Sequence, residues 1–304
     1  MSCRTLLIAN PARLSLKQNS VLIEQVSEPV TVPLEDIAAV IIENPQITVT
    51  APLLAEMNKH GVALIVCDEK HIPCGVMNSF HRHSRMLGSI KLQLGMTMPF
   101  CKNCWKLIVK QKIINQAKCL ELANLSGADE LLKLASQVRS GDSDNRESAA
   151  AQKYFDSYFN ALIPGSRRRD ENHINAALNY GYSIIRSAIA RGITAHGFIP
   201  ALGIMHHNEL NAFNLADDFL EPFRPVVDLW VYQNMRDKPK EFTTIHRFGL
   251  AGLLSCDVRI NHESVALLRA VDVMCASFMT AGRAKYPALI MLPELLAIKT
   301  HRYE

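Results

Sequence analysis

The segment 203–228, GIMHHNELNAFNLADDFLEPFRPVVD, gathers His206, His207, Glu209, Asp217, Asp218, Glu221 and Asp228 among Phe213, Leu215, Phe219, Leu220 and Phe223. Acids and imidazoles interleaved with apolar residues are costly to bury unless they are paired or bind a metal. Imidazole together with carboxylates is a donor set suited to Mg²⁺, Mn²⁺ or Zn²⁺. A divalent ion held by few protein ligands keeps open positions that bind a phosphate and activate a hydroxyl, so phosphoester chemistry is the first reading. The plainer alternative for the same residues is a solvated acidic helix start, with one histidine packed and the other exposed.

Local patterns say how these groups are positioned. Turn chemistry predicts a helix over 218–223, capped by Asn214 or Asp217 and stopped near Pro225, which puts Asp217 and Asp218 on the side of Glu221. Gly197, Pro200 and Gly203 predict a turn that delivers His206 to the same cleft. Upstream, SGDSDN at 140–145 is a loop leading into ESAAAQKYFDSYFNAL, with Ser143 or Asp144 as the cap. Glu147 then lies in the first turn, where the helix macrodipole favours its ionised form, and Tyr154, Phe155 and Phe159 supply packing. The run GSRRR at 165–169 interrupts helical pattern, and 172–192 reads as a long helix with Asn175, Asn179 and Tyr182 along one side. That side is either the lining of a cleft or a solvated stripe.

The chain around these segments has 304 residues, 48% of them hydrophobic, and a formal net charge of +4. That length buries a substantial core. Its longest apolar runs, at 62–67 and 288–292, are far short of the roughly 20 residues a membrane span needs. Nothing at the N-terminus reads as a secretory signal, so the cytoplasm is the expected compartment and no membrane partner is expected. The eight cysteines are scattered, which fits reduced thiols. Cys101 and Cys104 have zinc-like spacing, but no second pair answers them.

From 5 to about 77, short β-branched runs between turn signals predict strands, with a hairpin turning at Gln18-Asn19 and one helix over 50–60 ended by Gly61. Beyond the polar stretch 78–85 the apolar period changes from two toward 3.6, as in 105–122, 172–192 and 265–279. The expected fold class is α+β: a small strand-rich N-terminal domain (1–78), a linker (79–90) and a larger all-α domain (91–304) holding the site. Cations cluster at His81, Arg82, His83 and Arg85, at Lys102, Lys106, Lys110 and Lys112, and at Arg167, Arg168 and Arg169. Each cluster is either solvated surface or part of a path for a phosphate backbone.

Four motifs in order, Glu147 with SAAAQKYF, NAALNYGYSIIR from Asn175, the Gly203-x-x-His206-His207 turn, and LADDFLEPFRPVVD, resemble the CRISPR-associated spacer-acquisition integrases. The wording is nearest the form found beside type II effector nucleases, and the likeness covers nearly the whole chain. It implies a Mg²⁺ or Mn²⁺ site made by Glu147, His206 and Glu221, with Asp218 in a supporting or substrate-side role and His207 a weaker candidate. It also implies attack by the 3′-hydroxyl of a short DNA fragment on a phosphodiester at the edge of a CRISPR repeat. Partners implied are double-stranded DNA, a second copy of the chain joined through the strand-rich domain, a small second adaptation protein bridging two dimers, and the type II effector nuclease. Arg82, Arg85, Lys112, Arg167, Arg168, Arg169, Asn179 and Tyr182 are the residues expected to meet DNA. Two other classes remain open: a metal-dependent hydrolase of small phosphoesters, and a nucleic-acid scaffold with an idle acidic site.

Overall fold

The computed structural model describes residues 4–77, 85–236 and 241–298. The chain begins with β1 (Arg4–Ile8), β2 (Ala12–Lys17), β3 (Ser20–Glu24), β4 (Val30–Pro33), β5 (Ile37–Ile42), β6 (Ile47–Val49), α1 (Ala51–His60), β7 (Ala63–Cys67) and β8 (Pro73–Val76). They form two sheets, ordered β1-β5-β7-β8 and β4-β3-β2-β6. The first is parallel except for β8 at its edge, and α1 lies in the crossover between β5 and β7. The expected hairpin is present between β2 and β3: Gln18 and Asn19 both have positive φ, the twist a two-residue turn requires. Gly61 closes α1 at φ 74°.

Alternation along β5 decides where this unit sits. Val40 and Ile42 face a core shared with Leu14, Val21, Leu34, Leu53 and Met57. Ala39 and Ile41 face the opposite way and join Ala63 and Ile65 in the main core, packed with the helices. Three polar contacts fasten the same junction. Glu43, 2% exposed, accepts from the Arg247 guanidinium at 2.6 Å and from the Tyr180 hydroxyl at 3.3 Å, and Arg191 donates to the Gly61 carbonyl.

The rest of the chain is α2 (Met86–Leu94), α3 (Met98–Leu122), α4 (Ala128–Ser136), α5 (Arg146–Leu162), α6 (His173–Ala195), α7 (Asn214–Leu220), α8 (Arg224–Met235), α9 (Thr244–Ala251), β9 (Asp257–Ile260), β10 (Glu263–Ala266) and α10 (Leu267–Ala284). The strand-rich region followed by a helical region is as the sequence predicts, with the β9–β10 hairpin set into the helical part. Of the expected linker, residues 79–84 lie outside the described residues and 86–90 form the start of α2.

One of the buried acids of the helical core is held by tyrosines. Asp228 is 1% exposed; the Tyr154 hydroxyl donates to Oδ2 at 2.8 Å, the Tyr182 hydroxyl donates to Oδ1, and Tyr158 donates to the Asp228 carbonyl. Burial raises its pKa to about 6, against the hydrogen bonds of the two tyrosines, which lower it. The folded chain therefore holds this proton up to about pH 6, whereas the unfolded chain releases it near the ordinary carboxylate value. The folded state binds more protons in that window, so stability falls as pH rises through it. We expect wild type to lose on the order of 3 kcal/mol relative to Asp228→Asn between pH 4 and pH 7. Urea unfolding of both proteins across that range measures it, and a pH-independent difference would contradict the assignment.

Candidate active site

Helix α3 is the strut on which the site is built. Thr97 caps it through a bond from the Phe100 N–H, and Ile108, Val109 and Ile113 bury one face. Lys112 lies on that same face, 8% exposed. Its Nζ is 2.6 Å from Glu147 Oε1 and 2.5 Å from Glu221 Oε2. One turn further along, the Asn115 amide donates to the carbonyls of Pro222 and Pro293 at 2.7 and 2.9 Å, which pins the short turn that carries Glu221. Glu221 also accepts from the Arg224 guanidinium at 3.0 Å. Burial pushes the Glu221 carboxyl up, but Arg224 and then Lys112 overcome that and hold it at about 2. Burial likewise opposes the charge on Lys112, and Glu221 followed by Glu147 restores it, leaving the ammonium more firmly protonated than an ordinary lysine.

Glu147 sits in the first turn of α5, as predicted, but the expected caps do not hold that end. Asn145 adopts φ 52°, which turns the chain so that the Asp142 carboxylate accepts from the backbone N–H groups of Arg146 and Glu147 at 2.9 and 3.0 Å. Asp142 therefore satisfies the helix start that Ser143 or Asp144 was expected to cap. The 203–228 segment also folds differently from expectation. The helix begins at Asn214, not Asp218, and Pro225 does not stop it: a single tight turn at 221–223 leads straight into α8, where Pro225 occupies the first turn.

His206 is delivered by a braced loop. The Gln93 side chain of α2 bonds the backbone of Ile199 and Leu202, and Asn214 bonds the carbonyls of Ala201 and Asn208. Gly203 is required where the loop folds back, since a Cβ there would lie 2.2 Å from the His206 carbonyl oxygen. Asp218, fully buried, accepts from the N–H groups of Ile204, Met205 and His206 at 2.5, 3.1 and 3.2 Å. It then meets His206 Nδ1 at 2.7 Å. That bond is the largest cause of a raised His206 pKa, which burial opposes. The ring stands edge-on to Trp105, 5.7 Å between centroids, with its side chain 45% exposed. Fixing Nδ1 on a carboxylate leaves Nε2 as the nitrogen available to a ligand.

Glu147 and Glu221 are thus brought together on one ammonium, and His206 senses the Glu221 charge. Among the described residues no three His, Cys, Asp or Glu side chains converge closely enough to hold a metal ion in this arrangement. Two residues expected to face DNA point inward. Lys112 is buried between carboxylates, and Tyr182, 5% exposed, is spent on Asp228 beneath the guanidinium groups of Arg168 and Arg224. Arg168 bonds Asn175 and Asn179, while Arg167, Arg169, Asn179 and Arg85 are exposed and Arg82 lies outside the described residues. Sequence reasoning missed the ion-pair role of Lys112, the Arg224 contact, the Asp142 cap and the Trp105 packing. Only the apolar neighbours of Lys112 at helical spacing marked it as inward-facing.

The sequence profile of the family described as "CRISPR associated protein Cas1" matches residues 6–257. The CRISPR-associated endonuclease Cas1 of Neisseria meningitidis serogroup C (strain 8013) is 44% identical over 308 residues, covering 100% of both chains. Among solved structures, a casposase bound to integration product aligns with TM-score 0.71 at 18% identity, over 94% of this chain and 91% of that one. A Cas6-RT-Cas1–Cas2 complex aligns with TM-score 0.71 at 18% identity, over 97% of this chain and 36% of that one. These two likenesses extend the shared fold across both the strand-rich and helical parts. With the profile matching most of its length and a relative matching end to end, the chain belongs to the Cas1 family of CRISPR-associated proteins.

Proposed function

We propose that this chain is a DNA endonuclease and integrase of CRISPR adaptation, inserting short DNA fragments by 3′-hydroxyl attack on a phosphodiester at a repeat boundary. The observation that carries the reading is the meeting of Glu147 and Glu221 on one cation, beside a histidine whose ring a buried carboxylate holds. The end-to-end likeness to a curated CRISPR-associated endonuclease supports it. By donor chemistry two carboxylates and an imidazole with a free Nε2 suit Mg²⁺ or Mn²⁺, and Glu147, Glu221 and His206 are the residues that would close on the ion from their present, wider spacing. When bound, it would offset charge on the phosphodiester and favour the deprotonated form of the attacking hydroxyl. The chain's own work is positioning. Arg224 keeps Glu221 ionised, Asp218 fixes the imidazole, and Trp105 limits its rotation. Replacing the 3′-hydroxyl by water turns the same site to endonucleolytic cleavage.

The working unit is a homodimer joined through the strand-rich region, with a small second adaptation protein bridging two dimers; one fold neighbour is named as a Cas1–Cas2 complex. The type II effector nuclease is a further partner. No helix among the described residues is long and apolar enough to cross a membrane, and the site of action is the cytoplasm.

The direct test is strand transfer of a short duplex into a repeat-containing plasmid. Joined product is expected with Mg²⁺ or Mn²⁺, and none with EDTA or in His206→Ala. Metal-independent joining, or full activity in the variant, refutes the mechanism; hydrolysis of small phosphoesters without DNA joining favours the hydrolase class. DNA binding is tested separately. The double variant Arg167→Glu/Arg169→Glu is expected to weaken binding and flatten the slope of log affinity against log salt by about 1–2, one increment per lost phosphate contact. An unchanged slope takes both arginines off the DNA path.

A further inference from the structure

Lys112 has no role in the chemistry outlined above, yet its ammonium holds the central position in the site. Its side chain is 11% exposed, and its Nζ touches Glu147 at 2.6 Å and Glu221 at 2.5 Å. Two ionised carboxylates brought together in a partly buried site repel unless a cation lies between them. In the chain alone that cation is Lys112. A divalent ion seeking the same two carboxylates meets the ammonium in its place, because two cations cannot share those oxygens at contact distance. Resting on the metal reading proposed above, we infer that Lys112 is the built-in counter-cation of the metal-free centre, and that a divalent ion enters by displacing its ammonium from Glu147 and Glu221.

The surrounding residues suit such an exchange. Arg224 bonds the other oxygen of Glu221 at 3.0 Å, so Glu221 keeps a cationic partner after the ammonium leaves. Glu147 is 25% exposed at its side chain and its backbone is anchored by Asp142, so it stays at the mouth of the site with either cation. The centre is therefore preassembled and charge-balanced before metal arrives, and metal affinity is reduced by the fraction of time the ammonium is seated. An ammonium seated more than about nine-tenths of the time weakens apparent binding at least about tenfold.

Two measurements on the full chain test this. Mn²⁺ titration, followed by loss of the free-ion electron paramagnetic resonance signal, compares wild type with Lys112→Met; binding about tenfold tighter in the variant is expected. In parallel, wild type is pulse-acylated with an N-hydroxysuccinimide ester with and without Mn²⁺, and modification of Lys112 is read by mass spectrometry against exposed Lys118. Lys112 is expected to react faster when Mn²⁺ is bound, with Lys118 unchanged. Tighter binding by the variant follows from removing any nearby positive charge, so the acylation result decides. Mn²⁺ bound by wild type with Lys112 as protected as before overturns the displacement, whether or not the variant folds. Failure of both proteins to bind Mn²⁺ sinks the metal reading itself and this inference with it.

Discussion

Glu221→Gln is expected to abolish strand transfer and to destabilise the chain, whereas Glu147→Gln is expected to abolish strand transfer at little structural cost. Both carboxylates face the same ammonium, so both losses remove charge from the point where phosphate chemistry is proposed, at least about 10²-fold in rate. They differ in what they leave behind. Glu221 is 5% exposed and partners both Lys112 and Arg224; losing its charge leaves buried Lys112 with Glu147 alone and part-exposed Arg224 without a carboxylate, a cost toward the lower end of the about 3–5 kcal/mol typical of a broken buried pair. Glu147 shares only Lys112, which retains Glu221, and its own side chain is 25% exposed. The corresponding loss is about 1 kcal/mol or less. Plasmid strand transfer and urea unfolding of the two variants measure both quantities. Equal destabilisation would mean that the ion pairs do not divide as described, and retained joining would remove the carboxylates from the chemistry.

Asp218→Asn is the second large effect, and it acts through His206. The carboxylate accepts three backbone N–H groups and His206 Nδ1 with no exposure to water. An amide offers one acceptor oxygen and turns an N–H toward other donors. We expect strand transfer to fall about 10–100-fold, the range typical when the group orienting a ligating histidine is lost, and stability to fall by about 1–3 kcal/mol from backbone donors left unpaired. Unfolding alone would not identify the mechanism. The bond from Asp218 is the largest cause of the raised His206 pKa, so the ring's titration, followed by nuclear magnetic resonance, is expected to move down toward the ordinary histidine value in the variant. A ring that titrates as in wild type would show that Asp218 supports the loop and leaves the imidazole alone.

What could be read from the sequence was whatever local chemistry dictates. The strand runs, the Gln18-Asn19 turn, the Gly61 helix end and the first-turn position of Glu147 all depend on residues a few positions apart, and they stand where the pattern puts them. The 203–228 segment was legible in composition but not in path. Pro225 looks like a stop signal, yet proline is equally at home in a first turn, and only packing against α3 decides between the two. Lys112 was legible only as a DNA contact, not as the partner of the carboxylates, because Glu147 and Glu221 come from distant parts of the chain. In sequence it is one lysine beside Lys102, Lys106 and Lys110. Tyr182 fails for the same reason: its hydroxyl turns inward because Asp228 is there to meet it.

The sheet β1-β5-β7-β8 has a consequence for how this protein can be cut and recombined. Because Ala39, Ile41, Ala63 and Ile65 lie in the main core while Val40 and Leu64 lie in the other, the sheet is a party wall and not an outer one. Severing the chain near residue 78 would bare an apolar sheet face on one piece and the helical surface that covers it on the other. Neither half is a portable module, and a chimaera that exchanges the strand-rich part between relatives must exchange the facing helical residues with it.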